Sequence, residues 1–167
     1  MLSNMIGIIG AMEIEIEGLR AKLEDAQSET ISGIRFDWGT INGTPCTLAV
    51  CGPGKVNAAV CAQTMILRFH PQLVINSGVA GGIGPDVHIK DVVIATAVVQ
   101  HDMDTSPLGD PVGLISGLNI IEIPADKTAA EVLTGKAHEV YEGNVFHGII
   151  ATGDQFISSE QARQEIH

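Results

Sequence analysis

Two short stretches constrain the fold of this chain more than any other feature. Residues 73–76 (Leu-Val-Ile-Asn) and 91–99 (Asp-Val-Val-Ile-Ala-Thr-Ala-Val-Val) are apolar and largely β-branched, with no polar alternation. A strand with one wet face alternates, so both stretches predict interior strands of a sheet covered on two faces. Such a sheet needs helices, and helical patterns fall between the strand-like runs. Residues 5–10 form an apolar run ended by Gly10, and residues 12–22 follow with acids in the first turn and Ile16, Leu19 and Leu23 at helical spacing. The alanine-rich residues 56–69 predict a buried helix stopped by His70-Pro71. Residues 126–141 predict a helix with Asp126 as N-cap, residues 145–152 a strand ending in Gly153-Asp154, and residues 161–167 the start of another helix.

Asn42-Gly43, which tolerates positive φ, lies between residues 34–40 and 46–51 and predicts a hairpin. Pro107, Gly109, Pro111, Gly113 and Gly117 mark a long loop before a weak strand over residues 119–123. The expected fold class is α/β: a mixed, mostly parallel central sheet flanked by helices, in one domain with an antiparallel hairpin near its start. Ligands of such sheets bind beyond the carboxyl ends of the strands. The informative positions are therefore Glu13 and Glu15, residues 51–55, 77–82, 101–105 and 154–157.

Charge narrows the partners. Nine Lys and Arg stand against twenty Asp and Glu, a formal net charge of −11, which would repel a phosphate backbone or an anionic membrane. No apolar run approaches the roughly 20 residues of a bilayer span. The N-terminus lacks a basic region followed by a cleavage site, so the expected location is cytoplasmic. Cys46, Cys51 and Cys61 are odd in number and lack C-x-x-C spacing; they read as small buried hydrophobes. The expected partner is a small molecule or another protein.

Several patterns admit a second chemistry and are weighed against it. Glu13, Glu15 and Glu17 suit a solvated first turn favoured by the helix dipole. Residues 7–10 have G-x-x-G spacing, not the G-x-G-x-x-G of a dinucleotide site, and Gly52-Pro53-Gly54-Lys55 lacks the spacing and hydroxyl of a phosphate loop. His101, Asp102 and Asp104 are too close in sequence for all to face one metal ion. His70, His88, His138 and His147 form no pattern. No metal and no cofactor are expected.

The strand ends carry a resemblance. Gly7-Ile8-Ile9-Gly10-Ala11-Met12-Glu13-Ile14-Glu15, Gly52-Pro53-Gly54-Lys55-Val56-Asn57-Ala58-Ala59, Asn76-Ser77-Gly78-Val79-Ala80-Gly81-Gly82, His101-Asp102-Met103-Asp104 and Thr152-Gly153-Asp154-Gln155-Phe156-Ile157 occur in one order. In that order and spacing they resemble the 5'-methylthioadenosine/S-adenosylhomocysteine nucleosidases, over essentially the whole chain. The resemblance implies a nucleoside phosphorylase-like fold and hydrolysis of the N-glycosidic bond of an adenine thionucleoside. It implies Glu15 as the carboxylate that activates water and Met12 on the ribose side. Pro53 matches an apolar contact for the 5'-alkylthio group, and Val79, Ala80 and Gly81 a turn beside ribose and base. Phe156 matches the ring stacked on adenine and Ile157 the backbone reading its edge. Thr105 and Leu108 match positions lent to a neighbouring subunit's pocket, so a homodimer is expected.

The chemistry agrees: breaking a ribosyl bond through an oxocarbenium-like state needs a base for water and an acid for the departing purine. Glu15 matches the first. The resemblance also implies a V-E-M-E-G/A strand end holding the ribose hydroxyls and an S-D segment whose Asp protonates N7, and neither occurs in this sequence. The chain is therefore expected to be incomplete at its C-terminus, and the 167 residues alone to release no adenine, with Asp154 the first substitute acid to test. Three alternatives remain at this stage. A purine nucleoside phosphorylase would carry Arg and Ser for phosphate where this chain has Asn76 and Val79. A futalosine hydrolase would share the hydrolytic chemistry, and an inactive fragment would only bind nucleosides or dimerise.

Overall fold

The apolar run near the start forms strand β1 (Ile6–Gly10), and the acidic segment after it forms helix α1 (Glu13–Arg20). The computed structural model describes residues 4–166, which group into two units divided between Ala80 and Gly81.

In the first unit, β2 (Glu24–Ile31), β3 (Ile34–Ile41) and β4 (Thr44–Val50) run antiparallel to one another in turn; α2 (Lys55–Phe69) and β5 (Leu73–Asn76) follow. The sheet order is β2-β3-β4-β1-β5, with β1 parallel to both β4 and β5. The hairpin turns where expected: Asn42 and Gly43 have φ of 50° and 75°, the left-handed pair a two-residue turn demands. Helix α2 stops at His70, whose φ of 49° places it in the left-handed region just before Pro71.

Two features depart from expectation. Strand β2 (Glu-Asp-Ala-Gln-Ser-Glu-Thr-Ile) has no apolar face to announce it, because it is the sheet's edge and mostly exposed. Among the described residues strand β5 pairs only with β1, so it stands at the end of this sheet instead of inside it. A four-residue apolar run reports covered faces and does not distinguish an edge from an interior position.

The first unit's core packs Ile9, Phe36, Ala49, Cys61, Met65 and Phe69 between the sheet and α2. The Phe69 ring lies 5.5 Å from that of Phe36 and 5.4 Å from that of Trp38. Asp37, 3% exposed, accepts hydrogen bonds from Nε of Arg20 and Nε of Arg35, each 2.8 Å, so the buried carboxylate is paired on both oxygens. Arg20 also pairs with Glu13.

The second unit has a three-stranded sheet ordered β7-β6-β8, from β6 (Val92–Gln100), β7 (Ile123–Pro124) and β8 (Val145–Thr152). Strands β6 and β8 are parallel, joined through α3 (Lys127–Val140); β7 is antiparallel to β6. Asp126 caps α3 as expected, its Oδ1 accepting from the Ala129 N–H at 2.8 Å. The loop after β6 holds a single 3-10 turn (Ser106–Leu108) and an Ile115–Ile120 bridge, and α4 (Glu160–Ile166) follows β8. Among the described residues no helix is long and apolar enough to cross a membrane.

Candidate active site

Parallel pairing of β1 with β4 and β5 sets Gly10 against Val50 and Ile9 against Asn76, so the turns after all three strands leave from one end of the sheet. Glu15 sits there, at the third position of α1. Its Oε2 accepts from the backbone N–H of Ala11 (2.7 Å) and Met12 (2.9 Å), reaching back over the start of its own helix. Its Oε1 accepts from the N–H of Val79 (3.0 Å), 64 residues away. A carboxylate offers about four lone-pair directions, so three fixed donors leave roughly one for a further ligand such as water.

Space around this carboxylate is made by glycine. A methyl group on Gly78 would lie 2.9 Å from Oε1 of Glu15, and one on Gly10 2.7 Å from Cγ1 of Ile16. Ala11 does not stand out in the sequence as a holder of Glu15, since a backbone donor leaves no side-chain signature. Cys51 follows β4, its Sγ donating to the Gly52 carbonyl at 3.0 Å. Burial pushes its thiol above the ordinary value, the backbone hydrogen bond opposes this, and the charge of Glu15 adds to the rise.

The structure thus brings Met12, Glu15 and Val79 into one hydrogen-bonded group. Met12 is 43% exposed and Val79 77% exposed. Pro53 is exposed between Gly52 and Gly54, whose φ of 85° and 98° turn the chain into α2. The Asn57 amide fixes that turn, Nδ2 donating to the Pro53 carbonyl at 2.7 Å. Ala80 closes the first unit and Gly81 opens the second.

In the second unit, the remaining predicted residues follow strands β6 and β8. Thr105 precedes the 3-10 turn, its hydroxyl donating to Asp110 Oδ2 at 2.9 Å, and Leu108 ends that turn 83% exposed. The Ser106 hydroxyl and backbone N–H hold the Asp104 carboxyl below its ordinary range. Phe156 follows β8 with 94% of its surface exposed, and Ile157 is half-buried beside it. Among the described residues, no three His, Cys, Asp or Glu side chains gather as a metal ion would require.

Residues 5–167 match the sequence pattern of the Phosphorylase superfamily. A 5'-methylthioadenosine/S-adenosylhomocysteine nucleosidase of Geobacillus sp. (strain WCH70) is 39% identical over 160 residues, covering 96% of this chain and 68% of that protein. Among solved structures, the Neisseria meningitidis enzyme of that name, in complex with methylthio-immucillin-A, aligns with a TM-score of 0.94 at 34% identity, covering 98% of this chain and 70% of that one. A futalosine hydrolase mutant of Helicobacter pylori aligns with a TM-score of 0.89 at 33% identity, over 96% and 73%. The chain spans about two thirds of the length of the curated relatives it matches.

Proposed function

The chain belongs to the 5'-methylthioadenosine/S-adenosylhomocysteine nucleosidase family of the Phosphorylase superfamily, and on that basis we propose that its protein hydrolyses the N-glycosidic bond of these thionucleosides, releasing adenine. The observation that carries the reading is the carboxylate of Glu15, held on both oxygens by the backbone of Ala11, Met12 and Val79. Glu15 orients a water and takes its proton as the water attacks the anomeric carbon, while the C–N bond breaks with its electron pair on the departing purine, which takes up a proton to leave as adenine; fixed donors spare the carboxylate any reorientation during the reaction. Met12, Val79, Ala80 and Gly81 border the ribose, Pro53 meets the 5'-alkylthio group, and Phe156 and Ile157 hold adenine. Such a reaction recovers purine and thiosugar from spent thionucleosides, as methionine salvage requires, in the cytoplasm.

Water is favoured over phosphate as the nucleophile. The Val79 N–H is already committed to Glu15, and the Asn76 amide donates to the Ile9 carbonyl at 3.3 Å. Neither position carries a cation to neutralise a phosphate dianion. The protein forms a symmetric homodimer in which Thr105 and the exposed Leu108 serve the neighbouring subunit's pocket. Likeness to a futalosine hydrolase at 33% identity makes futalosine the second substrate to assay.

The test uses the protein expressed from its natural gene. Glu15→Gln keeps the shape and loses the base, so kcat for adenine release falls by about 10²–10⁴ while nucleoside binding persists. Turnover like that of the unaltered protein would remove Glu15 from the mechanism. The rate stays constant as phosphate is added; ribose-1-phosphate as product would make the protein a phosphorylase.

A further inference from the structure

We propose that Asp102 is a positioning residue for the base-binding segment, a side-chain rung that extends the β6–β8 pairing past the point where backbone pairing stops. This inference rests on the reading that Phe156 and Ile157 hold adenine. The last register pair of the two strands is Gln100 with Thr152, and the His101 N–H still donates to the Thr152 carbonyl at 3.0 Å. Beyond it the chains leave the sheet. The next N–H on the β8 side available to this ladder, that of Asp154, donates instead to Oδ2 of Asp102 at 2.8 Å. The carboxylate thus ties the turn after β8 to the end of β6, two residues before Phe156.

Gly153 supplies the close approach. A methyl group there would run into Nε2 of His101, with Cε1 at 2.7 Å and Cγ of Asp102 at 3.0 Å. The φ of Gly153 is not in the left-handed region, so the position demands space and not backbone freedom. His101 and Asp102 form a saddle, Gly153 sits in it, and the Asp154 N–H is bolted to its wall. A segment that stacks on a base gains from this because a loose aromatic must be ordered on every binding event.

The effect is on binding and not on the chemical step. Asp102→Ala raises KM for methylthioadenosine about tenfold or more with kcat within about threefold, the loss expected for one charge-assisted hydrogen bond. Asp102→Asn keeps an acceptor oxygen and restores KM to within about threefold. Hydrogen exchange at the Asp154 amide, with no turnover involved, accelerates in Asp102→Ala and stays protected in Asp102→Asn. An independent pair uses the saddle: Gly153→Ala raises KM, and His101→Ala combined with it recovers part of the loss. Unchanged exchange at Asp154 in Asp102→Ala, an Asn variant no better than Ala, or strictly additive losses in the second pair would overturn the latch. If Asp102→Ala does not fold, the saddle pair decides. Absence of adenine release from the unaltered protein would sink the proposed function instead, leaving the exchange measurement to judge the latch.

Discussion

The two units hold the residues that the sequence singles out by different means. The first encloses Glu15 in a frame with a tight core: Ile9, Ile16, Phe36, Cys46, Leu48, Ala49, Cys61, Met65 and Phe69 are all buried. Among the described apolar residues of the second unit other than glycine, only Ala97 is comparably buried, and neither α3 nor β8 contains a buried residue. The residue expected to do chemistry is fixed by three backbone donors on the well-packed side, whereas the residues expected to hold the base lie on the sparser side, with Phe156 almost fully exposed. A proton transfer needs placement to a fraction of an ångström. A stacking contact between two flat faces tolerates more.

The contrast can be broken by measurement, and the largest effect is expected in the core. Met65→Ala empties a fully buried site between α2 and β1 and costs about 2–5 kcal/mol. Leu133→Ala on α3, 38% exposed, costs well under half as much. Denaturant unfolding of both variants checks the pair, and equal losses would erase the distinction between the units.

A smaller free-energy effect of another kind is expected at Gly78. Its added methyl in Gly78→Ala meets the side chain of Glu15, which moves only by giving up its backbone donors. The consequence falls on rate: kcat drops by about 10² while the melting temperature changes little. A variant that loses stability and keeps kcat would show that the glycine serves packing.

The last effect is absent at neutral pH and develops only in alkali. Burial, with the neighbouring Cys51 adding to it, pushes the Cys61 thiol from its ordinary value of 9.0 up to about 12. Between those values the unfolded chain has lost the proton and the folded one retains it, so the folded state binds more protons and stability falls as pH rises through that window. Below it the contribution is fully present. Urea unfolding at several alkaline pH values checks this, and Cys61→Ala should flatten the slope; an unchanged slope would place its origin elsewhere.

Much of this was legible locally. The turn at Asn42-Gly43, the stop at His70-Pro71, the cap at Asp126 and the strand over residues 145–152 are written in neighbouring residues. The strand over residues 24–31 was not, because an edge strand exposed on most positions has no apolar period to display. Glu15 illustrates both sides. By spacing alone it belongs to an acidic first turn, and only the ordered blocks of the family resemblance single it out.

The sequence by itself determined most of the segments that become strands and helices, where most of them stop, and which residue types stand at the strand ends, since those follow from periodicity, capping and turn conformation among near neighbours. Tertiary structure alone decided that the Val79 N–H reaches Glu15 across 64 residues and the Asp154 N–H reaches Asp102 across 52. It also decided that Gly78 and Gly153 must lack side chains. The physical reason is that these contacts arise from the register of parallel strands joined by long crossovers. Register is a property of two paired segments together, and neither segment encodes it alone.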